Sequence, residues 1–392
     1  MNQPLVFVTG MFRSGTTLLA RLLHSHPEVA FASDPFSELF KEFRNTVAEE
    51  LCPGSPVDRA APLDDYYFHA EKQALMRRIQ AVELNHHLGT LPPDDLRKKI
   101  AVRSKPFSPL LEPHLALLTG STFAEWFAGG FEAIRLAYGS ASTQQIGFKE
   151  TWGGEFVPHV LRCWPAAKAV YLIRDPRAVA ASKNVTEEKY PWLFLARQWR
   201  KLATFGWIHS RNSPYQDRVR LVRFEDLIQY PEREIRALCD FLEVDFHENL
   251  VDPSRFVDGA GKPWKQNSSH FKESRSFNPK SLEKWREVLQ PREIEFIEAL
   301  CALEMSCFGY STNQSEKSEL APSLVLDPPS VAQTELAEWI RPNAKLGSEV
   351  AELGLEFMRD RLLRSTEPMS EEIKTQLCLD ERFFDTLRGR PK

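Results

Sequence analysis

The sequence predicts an α/β fold in which a doubly wound parallel sheet is flanked by helices. Residues 4–26 have the pattern of a strand, a glycine-containing loop and a helix. Residues 169–173 are entirely apolar, which is typical of a strand that is buried on both faces. Between and after these segments, strand-like and helix-like segments alternate, as they do when helices connect the strands of a parallel sheet.

The composition excludes several classes of function. The chain has 392 residues, and 50 basic against 54 acidic side chains leave a formal charge of −4, so no overall field attracts nucleic acid. No segment approaches the about 20 consecutive apolar residues of a membrane span, and the first residues lack the pattern of a signal peptide. The six cysteines show no CxxC spacing, which favours free thiols in a reducing compartment. We therefore expect a cytoplasmic protein.

The elements follow one another in an order that predicts one α/β domain over residues 1–310. Residues 36–142 are mainly helical and are expected to form an insert that binds a substrate, residues 311–330 are a Ser- and Pro-rich linker, and residues 331–392 are a helical extension. The individual predictions are strands over 5–8, 28–33, 145–149, 169–173 and 218–224, and helices over 16–26, 155–163, 177–183, 192–209, 232–242, 279–289 and 291–305.

Residues 10–17 predict an anion-binding loop between the first strand and the first helix. Gly10 and Gly15 allow the backbone to wrap an anion, so that successive N–H groups and the helix dipole point at it. A nucleotide P-loop has Lys after its second glycine, where this sequence has Thr16, and the nearest cation is Arg13. No carboxylate that could bind a metal is evident after the second apolar strand, because the strand that ends at residue 173 is followed by Arg174. We therefore expect an anion less charged than a triphosphate, and no metal.

The segment Phe7–Leu23 (FVTGMFRSGTTLLARLL) resembles the 5′-phosphosulfate loop of the sulfotransferases that use 3′-phosphoadenosine 5′-phosphosulfate (PAPS), especially the tyrosylprotein and bacterial branches. The resemblance implies a P-loop-like sulfotransferase fold, PAPS as the co-substrate, adenosine 3′,5′-bisphosphate (PAP) as the product, and a hydroxyl-bearing acceptor. It also implies which residues hold the 5′-phosphosulfate, namely Arg13, Ser14, Gly15, Thr16 and Thr17.

PAPS carries a second phosphate, and Val170–Ser182 (VYLIRDPRAVAAS) resembles the family's 3′-phosphate site. Arg174 at the end of a strand would bind that phosphate together with Ser182, eight residues later. The alternative for Arg174 is a structural role, either an ion pair with Asp175 or a contact with a helix C-terminus. We expect Arg177 to face solvent on the first turn of the next helix.

Two further segments resemble parts of the same family's cofactor site. In Leu221–Leu227 (LVRFEDL), Phe224 either stacks on the adenine or is a core residue of a strand. The segment Trp264–Ser269 (WKQNSS) resembles a loop that folds over PAPS; the resemblance implies that Ser269 lies near the sulfate and that Arg275 lies near the 3′-phosphate.

The candidate catalytic residues are Asp34, Lys149 and Arg13. Asp34 follows the second short strand and matches the family's proposed base, usually Glu; Glu38 is the alternative base, and a helix cap is the alternative role for Asp34. Lys149 ends a strand and matches a family lysine that contacts the sulfate, whereas its alternative is a surface pair with Glu150. With Arg13, Lys149 would stabilise the charge on the phosphosulfate.

These observations predict the transfer of a sulfonate group from PAPS to a hydroxyl group, with a carbohydrate or a small-molecule alcohol as the expected acceptor. One alternative is a P-loop kinase or NTPase that uses ATP, and another is a non-catalytic relative that binds a nucleotide or a protein. The sequence leaves homo-oligomerisation open.

Overall fold

The computed structural model of the protein describes residues 4–63, 70–182, 192–211, 213–264, 277–312 and 348–389. These residues form two compact units. The first unit takes its described residues from 1–66, 74–173 and 209–278, and the second takes them from 67–73, 174–208 and 279–392.

The first unit is built on a five-stranded sheet whose neighbouring strands are all parallel. In chain order the strands are β1 (Leu5–Gly10), β2 (Val29–Ser33), β3 (Gln145–Lys149), β4 (Lys168–Ile173) and β5 (Val219–Arg223). They lie in the order β2-β3-β1-β4-β5, so the chain passes from the central β1 to the edge strand β2, returns to β3 beside β1, and then adds β4 and β5 on the other side. The predicted doubly wound parallel sheet is confirmed. In such sheets ligands bind beyond the carboxyl ends of the strands, next to the strand from which the winding reverses.

Helices connect the strands of the first unit, and other helices make up the described part of the second unit. In chain order they are α1 (Thr16–His24), α2 (Ser37–Leu51), α3 (Ala70–Ala81), α4 (Pro93–Ser104), α5 (Phe123–Tyr138), α6 (Val157–Cys163), α7 (Pro176–Ala180), α8 (Trp192–Arg211), α9 (Phe224–Gln229), α10 (Pro231–Leu242), α11 (Trp285–Val288), α12 (Pro291–Cys307), α13 (Ser348–Arg364), α14 (Glu371–Cys378) and α15 (Glu381–Arg388). A 3₁₀ helix, Pro109–Leu117, precedes α5. The expected C-terminal helices are present as α13 to α15. Within the described residues, no helix is long and apolar enough to cross a membrane.

Aromatic side chains pack α2 and α5 onto the sheet. The ring of Phe7 on β1 stacks on that of Phe148 on β3 at a centroid distance of 4.5 Å. Phe40 on α2 and Phe127 on α5 meet at 4.7 Å, and Phe131 reaches Phe148 at 5.7 Å. All five rings are buried. Helices α2 and α5, which belong to the region 36–142, therefore form part of the core. Their packing holds the start of α2 next to the carboxyl end of β2.

Several predicted elements differ from the structure in their bounds, and three of these differences concern the residues around the site or its neighbours. The helix expected over 279–289 is instead a 3₁₀ turn at Pro279–Ser281 and the separate helix α11, whose Trp285 is buried against the guanidinium of Arg177. Helix α7 ends at residue 180 rather than 183. The strand expected over 218–224 ends one residue earlier, and Phe224 begins α9.

In the second unit, buried ion pairs connect the C-terminal helices to α8 and α12. Glu356 on α13 pairs with Arg197 at 2.6 Å and with Arg200 at 2.8 Å, both on α8. Arg359 on α13 pairs with Glu304 on α12. Although burial alone would raise the pKa of Glu356, the two arginines of α8 hold it well below its usual value. The C-terminal helices therefore supply the counter-charge for cations that α8 buries.

Candidate functional site

The loop between β1 and α1 has a backbone that only small residues permit at two positions. Gly10 and Gly15 have φ angles of 153° and 93°. A Cβ on Gly10 would lie 2.3 Å from the carbonyl oxygen of Leu172, and one on Gly15 would lie 2.3 Å from the ring of Phe224. Arg13 also has a positive φ, 65°. The two glycines are therefore required by the close approach of the backbone to its neighbours and by the turn itself.

The same loop leaves polar groups suited to an anion. Helix α1 begins at Thr16 without a side-chain cap, so its dipole and first N–H groups can face a negatively charged ligand. The Ser14 hydroxyl is buried and has no hydrogen-bond partner among the described residues. Thr16 is buried and Thr17 is half-buried, both in the first turn. An oxyanion bound in the loop would satisfy these donors.

Asp34 lies at the carboxyl end of β2 in a strained conformation. Its φ is 49°, in the left-handed region that Asp adopts more readily than most residues. Its backbone N–H donates to the carbonyl oxygen of Lys149 at 2.7 Å. Its carboxylate lies 2.5 Å from the Lys149 ammonium and accepts hydrogen bonds from the N–H and hydroxyl of Thr151. Asp34 does not cap α2, because Phe36 is the residue before that helix.

Lys149 is buried and owes its place to the position of β3 in the sheet. It is the last residue of β3, where it lies opposite Val8 of β1 and Ser33 of β2. Its side chain is 4% exposed, so the alternative of a surface lysine paired with Glu150 is wrong. Of the two candidate bases, Asp34 forms an ion pair with Lys149, whereas Glu38 forms none with Lys149 among the described residues. A carboxylate and a cation therefore meet beside the strand that leads into the anion-binding loop.

Glu150 supports this site and was missed as a functional candidate. It is buried; its N–H donates to the Val8 carbonyl and its own carbonyl oxygen accepts from the Thr9 hydroxyl. Its carboxylate accepts the N–H of Phe36, the residue before α2. Burial, and then the charge of Asp34, raise the pKa of Glu150 well above its usual value. A Lys-Glu pair at the end of a predicted strand is compatible with exposure, so sequence alone gave no signal for its burial.

Phe224 packs against the anion-binding loop from the β5 side. It is the first residue of α9 and is largely buried, and its ring occupies the space that a side chain at Gly15 would need. It is therefore a helix residue beside the loop rather than a residue of a strand.

The segment after β4 belongs to the second unit. The carbonyl oxygen of Arg174 accepts a hydrogen bond from the Trp199 indole at 2.7 Å, and its guanidinium donates to the Ser281 carbonyl at 3.4 Å. Ser182 follows α7, and its N–H donates to the carbonyl oxygen of Val179. These two residues lie at opposite ends of the segment that contains α7.

Arg177, which was expected to face solvent, is buried. Its guanidinium pairs with Asp175 at 2.7 Å and with Glu298 at 2.6 Å, and it lies 4.1 Å from the centre of the Trp285 ring. The Asp175 carboxylate also caps α7. Asp175 thus forms a structural ion pair with Arg177 within the second unit.

Ser269 and Arg275 lie outside the described residues. Within the ranges that the structure describes, no group of three or more His, Cys, Asp or Glu side chains could hold a metal ion.

Comparisons with known proteins give the family. The family model described as the Sulfotransferase family matches residues 4–248. A putative protein-tyrosine sulfotransferase of Caenorhabditis briggsae is 24% identical over 178 residues, which are 43% of this chain and 61% of that protein. Carbohydrate sulfotransferase 5 of Homo sapiens is 25% identical over 366 residues, 82% of this chain and 81% of that protein. The solved sulfotransferase domain from the Synechococcus PCC 7002 olefin synthase is 20% identical, with a TM-score of 0.46, over 79% of this chain and 97% of that one.

The family match covers more than half of the chain, which therefore belongs to the sulfotransferase family. The chain spans 61% of the length of the C. briggsae relative and 66% of that of a second putative protein-tyrosine sulfotransferase, from Caenorhabditis elegans.

Proposed function

We propose that the protein transfers a sulfonate group from PAPS to a hydroxyl group of a carbohydrate or small-molecule alcohol. The observation that carries the proposal is the ion pair of Asp34 and Lys149 at the sheet edge where the loop Gly10–Gly15 begins. Transfer of an anionic group to a hydroxyl requires a proton acceptor, a cation and an anion-binding site. Membership of the sulfotransferase family supports the same reaction.

The loop fits the phosphosulfate end of PAPS. The unsatisfied Ser14 hydroxyl and the uncapped start of α1 can donate to its oxygens, and no side chain at position 10 or 15 obstructs the backbone. PAPS would supply the sulfonate, and Arg13 with the Thr16 and Thr17 hydroxyls would complete the set that holds it. The 3′-phosphate site at Arg174 and Ser182, and the contact of Phe224 with adenine, stay predictions.

Each catalytic residue has one role in the proposed reaction. Asp34 accepts the proton of the acceptor hydroxyl, whose oxygen forms a bond to sulfur as the bond from sulfur to the phosphate oxygen breaks. The electron pair of that bond stays on the phosphate, where Arg13 and Lys149 stabilise the negative charge. Phe107, 40% exposed, has its ring centre 5.8 Å from the Lys149 ammonium and gives an apolar face against which an acceptor can pack.

Ligand-dependent thermal unfolding tests the proposal. PAP is expected to raise the Tm of the protein more than ATP with Mg²⁺ does, and Arg13→Ala is expected to reduce the PAP effect. The exposed Arg77→Ala is the matched control and should leave it unchanged. Radiolabelled PAPS with a cell extract would then identify the acceptor. An equal or larger effect of ATP would contradict the proposal and favour a phosphoryl transfer. The cytoplasmic location stays a prediction.

A further inference from the structure

Arg21 is a buried cation that forms no ion pair within the described residues. It lies on α1 among the buried leucines Leu18, Leu19, Leu22 and Leu23 and is 6% exposed. Across the described part of the chain, no carboxylate lies within ion-pair distance of it, and its Nε makes no hydrogen bond. A buried charge that forms no ion pair is unfavourable, because the group loses its hydration. A folded protein that keeps such a charge has a use for it.

The groups near Arg21 include Asp34, so Arg21 lies on the side of the site that is next to β2. Burial lowers the pKa of Arg21, and the nearby Asp258, Tyr138 and Asp34 oppose this effect. Neither carboxylate forms an ion pair with Arg21 among the described residues. Asp258 accepts the N–H groups of Ala260 and Lys262, and Asp34 pairs with Lys149. The positive charge of Arg21 is therefore available to a ligand that approaches Asp34.

The remaining polar groups at this place are neutral or are hydrogen-bond donors. Burial, and then the charge of Arg21, lower the pKa of His24 to about 4, so this ring is uncharged at neutral pH. The Tyr138 hydroxyl donates to the carbonyl oxygen of Gly259. The hydroxyl of Ser33, the residue before Asp34, is buried and has no hydrogen-bond partner within the described ranges. A cation and an unsatisfied hydroxyl together favour an anionic group.

The order of the strands places Arg21 and Phe224, the residue predicted to contact adenine, toward opposite outer strands of the sheet. Phe224 packs on the anion-binding loop from β5, at one edge of the sheet. Asp34 follows β2, at the opposite edge, and α1 connects the central β1 to this edge. A ligand that reaches Arg21 therefore lies on the side of the proposed base, where an acceptor must bind.

We propose that Arg21 binds an anionic group of the acceptor, a carboxylate or a sulfate or phosphate ester, that lies next to the hydroxyl to be sulfonated. This inference rests on the proposed function and narrows its substrate class to anionic alcohols, such as acidic or previously esterified sugars. The guanidinium would pair with two oxygens of that group, and the Ser33 hydroxyl would donate a further hydrogen bond.

Thermal unfolding with malonate as the probe tests this role. In protein saturated with PAP, malonate should raise the Tm of the wild type. In Arg21→Gln we expect at least about tenfold weaker malonate binding, which corresponds to the loss of one charge-assisted contact. Arg77→Gln, at an exposed arginine, is the matched control and should bind malonate as the wild type does. The Tm increase caused by PAP should be the same in all three proteins.

The ligand-free proteins give a second, independent readout. Because Arg21 forms no ion pair in the part of the chain that the structure describes, Arg21→Gln should raise the Tm without ligands, whereas loss of a structural arginine would lower it. The inference is overturned if malonate does not stabilise the PAP-saturated wild type, if Arg21→Gln binds malonate equally well, or if its ligand-free Tm falls. Failure of PAP itself to stabilise the wild type would instead refute the proposed function.

Discussion

The pair of Asp34 and Lys149 should contribute to stability and turnover as one unit. The two side chains are 14% and 4% exposed, and their charged atoms lie 2.5 Å apart. Lys149→Met would leave a largely buried carboxylate for which, among the described residues, the N–H and hydroxyl of Thr151 are the donors. Removing one partner of a buried pair costs about 3–5 kcal/mol, whereas removing both avoids the unpaired charge. We therefore expect a coupling free energy of about 2 kcal/mol or more between Lys149→Met and Asp34→Asn.

Urea unfolding of the wild type, the two single variants and the double variant measures this coupling. The exposed pair of Asp95 and Lys98 is the matched control, because its charged atoms are 3.3 Å apart while the side chains are 51% and 77% exposed. Solvent screening limits such a pair to about 0.2–1 kcal/mol. In turnover, each single variant should lose about 10²- to 10⁴-fold in kcat, and the double variant should be no slower than the slower single variant. Equal coupling in the two pairs, or losses of kcat that multiply, would refute the reasoning.

Three further substitutions test other parts of the structure. Gly15→Ala should lower the free energy of unfolding by about 2–5 kcal/mol, because of the positive φ and the overlap with Phe224, and it should weaken PAP binding. Gly54 is the control, because it has a similar φ of 84° but open space around it. In urea, Gly54→Ala should therefore show the backbone contribution alone. Because Glu150 holds its proton more tightly in the folded state, the free energy of unfolding should fall as pH rises from about 4.5 through the raised folded pKa, and Glu150→Gln should abolish that slope in urea titrations across pH. Glu356→Gln would remove the carboxylate that pairs with Arg197 and Arg200 of α8, and it should lower the free energy of unfolding in urea by about 3–5 kcal/mol; a loss below about 1 kcal/mol would contradict the assignment.

The parts of the site that depend on neighbouring residues could be predicted from sequence. The apolar β1, the glycines at 10 and 15 and the start of α1 are consecutive, so their pattern defines strand, loop and helix without knowledge of the rest of the chain. The apolar run of β4 has the same property. The parallel sheet followed from the alternation of these elements.

The parts that depend on distant residues could not be predicted. Arg177 is buried because Glu298, 121 positions later, supplies a carboxylate, and no local pattern reveals that pairing. Phe224 and Gly15 meet only because the sheet places β5 and β1 on either side of β4. The burial of Glu150 likewise requires the start of α2 beside β3, a contact across 114 positions.

The ion pairs of α13 imply a constraint on shortened forms of the chain and on relatives of different length. A chain cut after residue 310 would keep Arg197 and Arg200 on α8 but would lose the carboxylate of Glu356. It would also uncover the Trp207 indole, whose ring centre lies 5.2 Å from that of Phe383 on α15. Such a truncated protein should aggregate rather than behave as a minimal enzyme. A homologue that naturally ends there should carry uncharged or separately neutralised residues at the positions of these two arginines.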